Sequence, residues 1–282
     1  MSCPRAATVA LTGLLLVCSC THRATEEVAG RLPIPAGVTS IRLEMDNGTL
    51  DVAALLEGAV RDQVTFEGGV RMDAADGAQL AALEEVDHLL VADLDPEDPS
   101  VLRIQGPRLP QGVAGMIAYE GHVRVPPELP LEVVVRDNGH VTMVGRRASS
   151  RVRTRRGDLR FDDCKGGVKA QTGQGNVIAY DHGGDLDVRS QNGDMQAFVV
   201  EPGAVVTLKT GKGTVQCYLP PDLPCTVDAR AEIGRIGSDF GFEVTKPTAY
   251  SSAMIGSRGG RTTRVLLRTA SGHIAMRALA PR

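Results

Sequence analysis

Six polar residues stand immediately after glycines: His140, Asp158, Asn176, Asp194, Thr214 and His273. Carboxylates, amides and imidazoles in one column could share a cation, if the segments carrying them stack at the roughly 4.8 Å spacing of neighbouring strands. The plainer expectation is that turn corners are polar because water touches them. A Gly-Gly-x-Gly-x-Asp calcium repeat is absent, and no metal is expected. A second concentration of chemistry is cationic: Arg146, Arg147, Arg151, Arg153, Arg155, Arg156 and Arg160 fall within one short stretch. On a strand, alternation puts Arg151, Arg153 and Arg155 on one outward face. With Arg156 they form a candidate patch for phosphates, carboxylates or an acidic protein. The competing reading is an exposed sheet face whose arginines balance Asp158, Asp162 and Asp163.

Little else offers catalysis. Asp93-Leu-Asp-Pro-Glu-Asp98 has the acidic spacing that opens a calcium loop, but it lacks the glycine and carries proline, so a polar turn is expected. The six histidines are scattered, and no Ser-His-Asp spacing, GxSxG, HExxH or P-loop occurs. No catalytic residue and no cofactor are expected. Paired carboxylates in a cleft would make the alternative, a carbohydrate-active β-helix enzyme; a regulatory module serving a membrane partner is a further alternative.

The elements that must position these residues form a repeat. Gly139, Gly157, Gly175 and Gly193 stand 18 residues apart, and Gly213 follows after 20. Apolar residues alternate before each glycine (Val168, Ala170; Leu186, Val188; Val206, Leu208; Val265, Leu267) and again after it (Val177, Ala179; Met195, Ala197; Val215, Cys217; Ile274, Met276). Period-two alternation means strands with one buried and one wet face. Eighteen residues hold two short strands and two turns, which predicts an all-β solenoid of stacked two-strand coils. Asn138-Gly139 and Asn192-Gly193 are also strong hairpin signals, so an antiparallel sandwich or meander is the alternative fold. Ile41 to Val52 reads as an isolated first copy and Val265 to Arg277 as a last copy. Between the first copy and the array, strands are expected over Gln63–Met72, Leu89–Leu94, Val101–Gln105 and Ala118–Val125, with one helix from Asp76 to about Glu85.

Composition narrows the function. The net charge of −3 gives no global field that demands nucleic acid or an anionic membrane. Tryptophan is absent and aromatics make up 3%, a sparse supply for a sugar-binding surface.

The N-terminus is read as a leader. Arg5 precedes an apolar stretch from Ala6 to Val17, too short to span a bilayer. Val17-Cys-Ser-Cys20 resembles the bacterial lipobox. That resemblance implies acylation of Cys20 and an extracytoplasmic, lipid-anchored location in the cell envelope, at the outer membrane where the organism has one. The expected organisation is a signal peptide over 1–19, a tether over 20–35, an N-terminal β segment over 36–127 and the repeats over 128–282. Disulfides are allowed in that compartment. Cys217 and Cys225 flank a proline-rich segment that a disulfide could clip; equally, Cys217 falls at a core position. Cys164 has no obvious mate.

The run Val123-Arg-Val-Pro-Pro-Glu-Leu-Pro-Leu131, followed by VVVRDNGHVTMVG, RTRRGDLRF, KAQTGQGNVIA, RSQNGDMQAF and RTASGHIAM, resembles the bacterial "putative adhesin" domain family. These are envelope proteins with tandem T-x-N/S-G-D-V-x-V coils. The resemblance covers roughly Ile41 to Met276. It implies a β-repeat fold, no catalytic residues and an adhesion-like role toward an unknown envelope protein or glycan.

Overall fold

The computed structural model describes residues 22–55, 62–246, 248–259 and 263–279. The leader and Cys20 lie outside the described residues. The first block holds β1 (His22–Pro33), β2 (Ser40–Met45), β3 (Gly48–Ala54), β4 (Gln63–Ala74), helix α1 (Gly77–Glu84), β5 (Val91–Leu94), β6 (Val101–Gln105) and β7 (Gly115–Val125). Asp76 caps α1, its carboxylate accepting the N–H of Gln79 at 2.8 Å.

The repeats follow as strand pairs: β8 (Leu131–Asn138) with β9 (Val141–Val144), β10 (Ser150–Arg156) with β11 (Leu159–Asp162), β12 (Val168–Gln174) with β13 (Val177–His182), β14 (Leu186–Asn192) with β15 (Met195–Val199), and β16 (Val205–Lys212) with β17 (Val215–Leu219). Then come β18 (Cys225–Ile233), β19 (Ile236–Ser238), β20 (Val244–Thr245), β21 (Ser252–Arg258), β22 (Thr263–Ser271) and β23 (Ile274–Ala278).

Among the described residues the protein is all-β apart from α1 and is built of two large mixed sheets. The first, of 11 strands, runs β1-β4-β7-β3-β9-β11-β13-β15-β17-β23-β19; the second, of 12, runs β20-β21-β18-β22-β16-β14-β12-β10-β8-β2-β6-β5. The two strands flanking each turn glycine therefore lie in different sheets, and equivalent strands of successive copies pair in parallel. Arg151 lies opposite Lys169, and Lys169 opposite Asp187. In the other sheet Leu159 lies opposite Val177, and Val177 opposite Met195. The two extra residues of the 20-residue step are absorbed between β15 and β16, so Asp187 still meets Thr207 and Met195 still meets Val215.

This register lines identical positions into rows. Val133, Val152, Ala170, Val188, Leu208 and Leu267 are buried in one row; Val141, Leu159, Val177, Met195, Val215 and Ile274 are buried in the row facing from the other sheet. Each large apolar side chain so removed from water contributes roughly 1.5–3 kcal/mol.

The turn glycines make a column of their own. Gly175 has φ +149°, and a Cβ there would overlap the carbonyl oxygen of Gly157; the same holds of Gly193 over Gly175 and of Gly213 over Gly193. Glycine is required twice over, by the backbone angle and by the close approach of the next coil.

Several expectations are corrected. Residues 22–33 are not a tether: β1 pairs antiparallel with β4 along its whole length, from His22 opposite Ala74 to Pro33 opposite Gln63. Alternation across a polar sequence conceals an edge strand whose Val28 is buried, with Ala24 and Leu32 packed against the same core. The boundary at 127/128 falls inside both sheets, because β2 pairs with β8 and β3 with β9. The first copy is thus not isolated. The copy that comes last in sequence lies inside the sheets: β22 is between β16 and β18, and β23 between β17 and β19.

Candidate binding surfaces

The residues after the turn glycines do form a column, and His140, Asp158, Asn176, Asp194 and His273 each give one acceptor to a backbone N–H. The Asp158 carboxylate accepts the N–H of Asn176 at 2.7 Å, the Asn176 amide oxygen accepts the N–H of Asp194 at 2.9 Å, and the Asp194 carboxylate accepts the N–H of Thr214 at 2.7 Å. His140 Nδ1 accepts from the N–H of Asp158 at 3.1 Å, and His273 Nδ1 from that of Arg235 at 3.2 Å. Each coil therefore caps the exposed donor of its neighbour. No group of three or more His, Cys, Asp or Glu that could hold a metal occurs among the described residues. The acidic Asp93–Asp98 stretch likewise serves turns: Asp95 accepts the N–H of Glu97, and Asp98 accepts from both the hydroxyl and the N–H of Ser100. The hydroxyl and N–H of Ser100 hold the Asp98 carboxyl below its ordinary value.

A second ladder sits three residues before the glycines. Thr172 donates its hydroxyl to the carbonyl of Gly157 at 3.2 Å, Thr210 to that of Gly193 at 3.0 Å and Thr269 to that of Gly213 at 3.0 Å. Thr154 and Ser190 do the same toward Gly139 and Gly175, at 3.4 Å each. The T-x-x-G spacing was visible in the sequence, and its role was not read there.

The arginine cluster is dispersed by the fold. Arg146 is fully buried; its guanidinium donates to the carbonyls of Pro126, at 2.6 Å, and Leu129, and burial pushes its pKa down to about 10. Arg160 lies in the other sheet, hydrogen-bonded to Asp162 at 2.8 Å. Arg151 and Arg153 share the outward face of β10 with Arg155. Arg155 leans to Asp137 at 3.2 Å, and a register shift after Thr154 carries Arg156 toward the turn column, where it borders Asn138 and His140.

Register extends the basic face well beyond this patch. Arg153, Gln171, Arg189, Lys209, Arg268 and Arg230 occupy one row across β10, β12, β14, β16, β22 and β18. The adjacent row begins Arg151, Lys169, Asp187, Thr207. Between them lies a depression of about 180 Å³ lined by Arg151, Arg153, Lys169, Gln171, Asp187 and Arg189. Asp187 pairs with Arg189 at 3.3 Å, and Asp228 with Arg230 at 3.3 Å and Arg268 at 2.6 Å.

The outer face of the other sheet carries an aromatic row. Tyr180 stacks on Phe198 at 4.8 Å between ring centroids, and Phe198 on Tyr218 at 4.3 Å; the Arg160 guanidinium lies 5.1 Å over Tyr180. They line a groove of about 750 Å³ with Asp162 and Leu279. Three of the chain's aromatics thus stand in one row, at the 18- and 20-residue steps of the repeat. Their faces cover one another, so mainly ring edges meet the groove.

No disulfide joins Cys217 and Cys225: they and Cys164 are buried free thiols. Cys217 lies in β17 between Ala197 and Met276, whereas Cys225 opens β18 in the other sheet. Burial pushes the Cys164 thiol up to about 11 and the Cys217 thiol up to about 12. No helix among the described residues is long and apolar enough to cross a membrane.

No protein-family model matches the chain, and no curated protein matches it. Among solved structures, a "putative cell adhesion protein" from Clostridium sporogenes is 12% identical, with 92% of this chain and 100% of that chain covered and a TM-score of 0.38. A "putative adhesin" from Bacteroides fragilis is 10% identical, with 89% and 97% covered and a TM-score of 0.39.

Proposed function

We propose that this chain is a lipid-anchored, extracytoplasmic β-solenoid of the bacterial cell envelope, held by acylated Cys20, that acts as a non-enzymatic binding or adhesion-like scaffold. One observation carries the reading. The outer face of the 12-stranded sheet presents register-locked rows of cations, and Arg151, Lys169 and Lys209 have no ion pair among the described residues. Arg151 and Lys169 are exposed and Lys209 is half-buried; unpaired surface cations of this kind contribute little to folding and are available to an anionic partner. The groups that might have done chemistry are engaged otherwise. The column acids accept backbone N–H groups, and the three described thiols are buried and held protonated. Parallel pairing at one step, with strands alternating between sheets, supports the solenoid.

The test has two parts. Metabolic labelling with palmitate should mark the full chain and fail on Cys20→Ala. The purified chain should then bind the envelope fraction of its source organism in a salt-sensitive manner, with binding weakened by Arg151→Ala plus Arg153→Ala. Label on the Cys20 variant defeats the anchor; envelope binding indifferent to salt and to the arginines defeats the scaffold.

A further inference from the structure

We infer that the outer face of the 12-stranded sheet binds a linear, carboxylate-bearing polysaccharide lying across the strands. This rests on the scaffold reading and names the ligand class for the same face.

The row Arg153, Gln171, Arg189, Lys209, Arg268, Arg230 holds cations at five of six consecutive strands. Like charges directly opposite one another in a sheet are destabilising. Asp187 and Asp228 relieve the row on either side of its centre, yet Lys209, between Arg189 and Arg268, has no ion pair among the described residues. The other four cations are ion-paired, Arg153 with Glu132 at 4.0 Å, Arg189 with Asp187, and Arg268 and Arg230 with Asp228. An anion laid along the row would therefore meet Lys209 unpaired and the others as exchangeable surface pairs. The cations recur at the strand spacing, about 4.8 Å. A polymer with one carboxylate on each sugar ring offers a repeat of comparable length, and guanidinium groups meet carboxylates in a bidentate fork.

The neighbouring row suits the rest of a sugar. Asp187 and Thr207 supply acceptors and a donor for ring hydroxyls, Gln171 of the cationic row adds an amide, and the 180 Å³ depression between the rows is lined by residues of both. The face carries no aromatic side chain on β10, β12, β14, β16, β18 or β22, so it lacks the stacking platforms both of a single-stranded nucleic-acid site and of a neutral-sugar site, and recognition here rests on charge and hydrogen bonds. Carboxylates interleaved in the cationic face, Asp187 and Asp228 on the row's flank and Glu132 beside Arg151, oppose a flat anionic bilayer but not a chain that follows one row. The whole chain is acidic at −3, so this face inverts the charge of the molecule locally.

The decisive experiment measures binding of the full chain in detergent to polygalacturonate fragments of increasing length. Neutral dextran, polyphosphate and phosphatidylglycerol vesicles serve as competing probes. Affinity should rise with length until the fragment spans the row and should fall with salt. It should drop about tenfold or more in Arg189→Gln plus Lys209→Gln, with an unchanged melting midpoint. Arg160→Gln, on the opposite sheet, should leave it unaltered, and Arg189→Lys, which keeps the charge but not the fork, should lose less than Arg189→Gln. Polygalacturonate binding no tighter than dextran, or unaffected by the double variant, overturns the proposal; so does tighter binding of polyphosphate or vesicles. If the envelope fraction still binds while polygalacturonate does not, the ligand class fails and the scaffold reading stands. Loss of both removes the scaffold reading as well.

Discussion

At the residue scale the structure separates positions of one type by what surrounds them. Gly175 and Gly203 both have positive φ, +149° and +93°, but a Cβ at Gly175 strikes the Gly157 carbonyl and one at Gly203 meets nothing within 4 Å. Gly203→Ala should cost about 1–2 kcal/mol, the penalty of the left-handed backbone alone. Gly175→Ala adds an overlap that only a backbone shift relieves, for a total of roughly 3 kcal/mol or more; urea denaturation of both variants checks the gap. Glu44 makes a different point. It is only 8% exposed, with Arg103 and Arg136 each 2.8 Å from one carboxylate oxygen. Burial disfavours its charge, but the Arg103 hydrogen bond and the charges of Arg103, Arg136 and Arg42 outweigh it and hold the carboxyl below its ordinary value. A lowered carboxyl stabilises the folded state above the unfolded-state pKa, and that contribution is lost as pH falls through the folded value. Glu44→Gln should therefore be less stable than wild type by about 1–3 kcal/mol at pH 7, with the difference shrinking toward zero on acidification to about pH 3. A gap that widens in acid would contradict this.

At the element scale, what joins one coil to the next is a set of polar ladders laid over the apolar rows. Asp194 caps the N–H of Thr214 at 2.7 Å. Asp194→Ala should cost about 0.5–1.5 kcal/mol, and Asp194→Asn, which keeps an acceptor, much less; paired thermal melts in the same buffer decide between them. The repeat, its core positions and the single helix were legible in the sequence because alternation and glycine spacing report the strand period and the turns directly. The partner of each ladder was not. His140, Asp158, Asn176 and Asp194 look unrelated as residue types, and only the register shows that each offers one acceptor to the next coil's backbone. The basic row was hidden for the same reason. Arg153 and Lys209 are far apart in sequence, and only strand pairing sets them in one line. The arginine cluster, conversely, looked like one feature and is dispersed over the core, both sheets and the turn column, because proximity in sequence says nothing about which sheet a residue enters.

At the scale of the whole molecule, one core joins both sheets from β1 to β23 and takes in every described cysteine. Cys164, Cys217 and Cys225 should therefore resist a thiol reagent in the native protein and react together on unfolding, since reaction needs both access and the thiolate. Mass spectrometry after timed labelling in graded urea reads this; fast modification of Cys217 under native conditions would contradict it. Three of the four sheet edges end in short strands, Ile236–Ser238, Val244–Thr245 and Val91–Leu94, which leave few open backbone groups for another chain to pair with, whereas the fourth is the 12-residue β1. The position of β22 and β23 has a kinetic meaning. Residues 225–238 precede 263–278 in synthesis, yet their parallel partners are those later residues. At this end the molecule cannot zip up in the order in which it is made. Strands β18 and β19 must wait for residues that emerge after them, and until then β16 and β17 stand as bare edges, the interval in which an unfinished chain is most open to a chaperone, a protease or a second copy of itself.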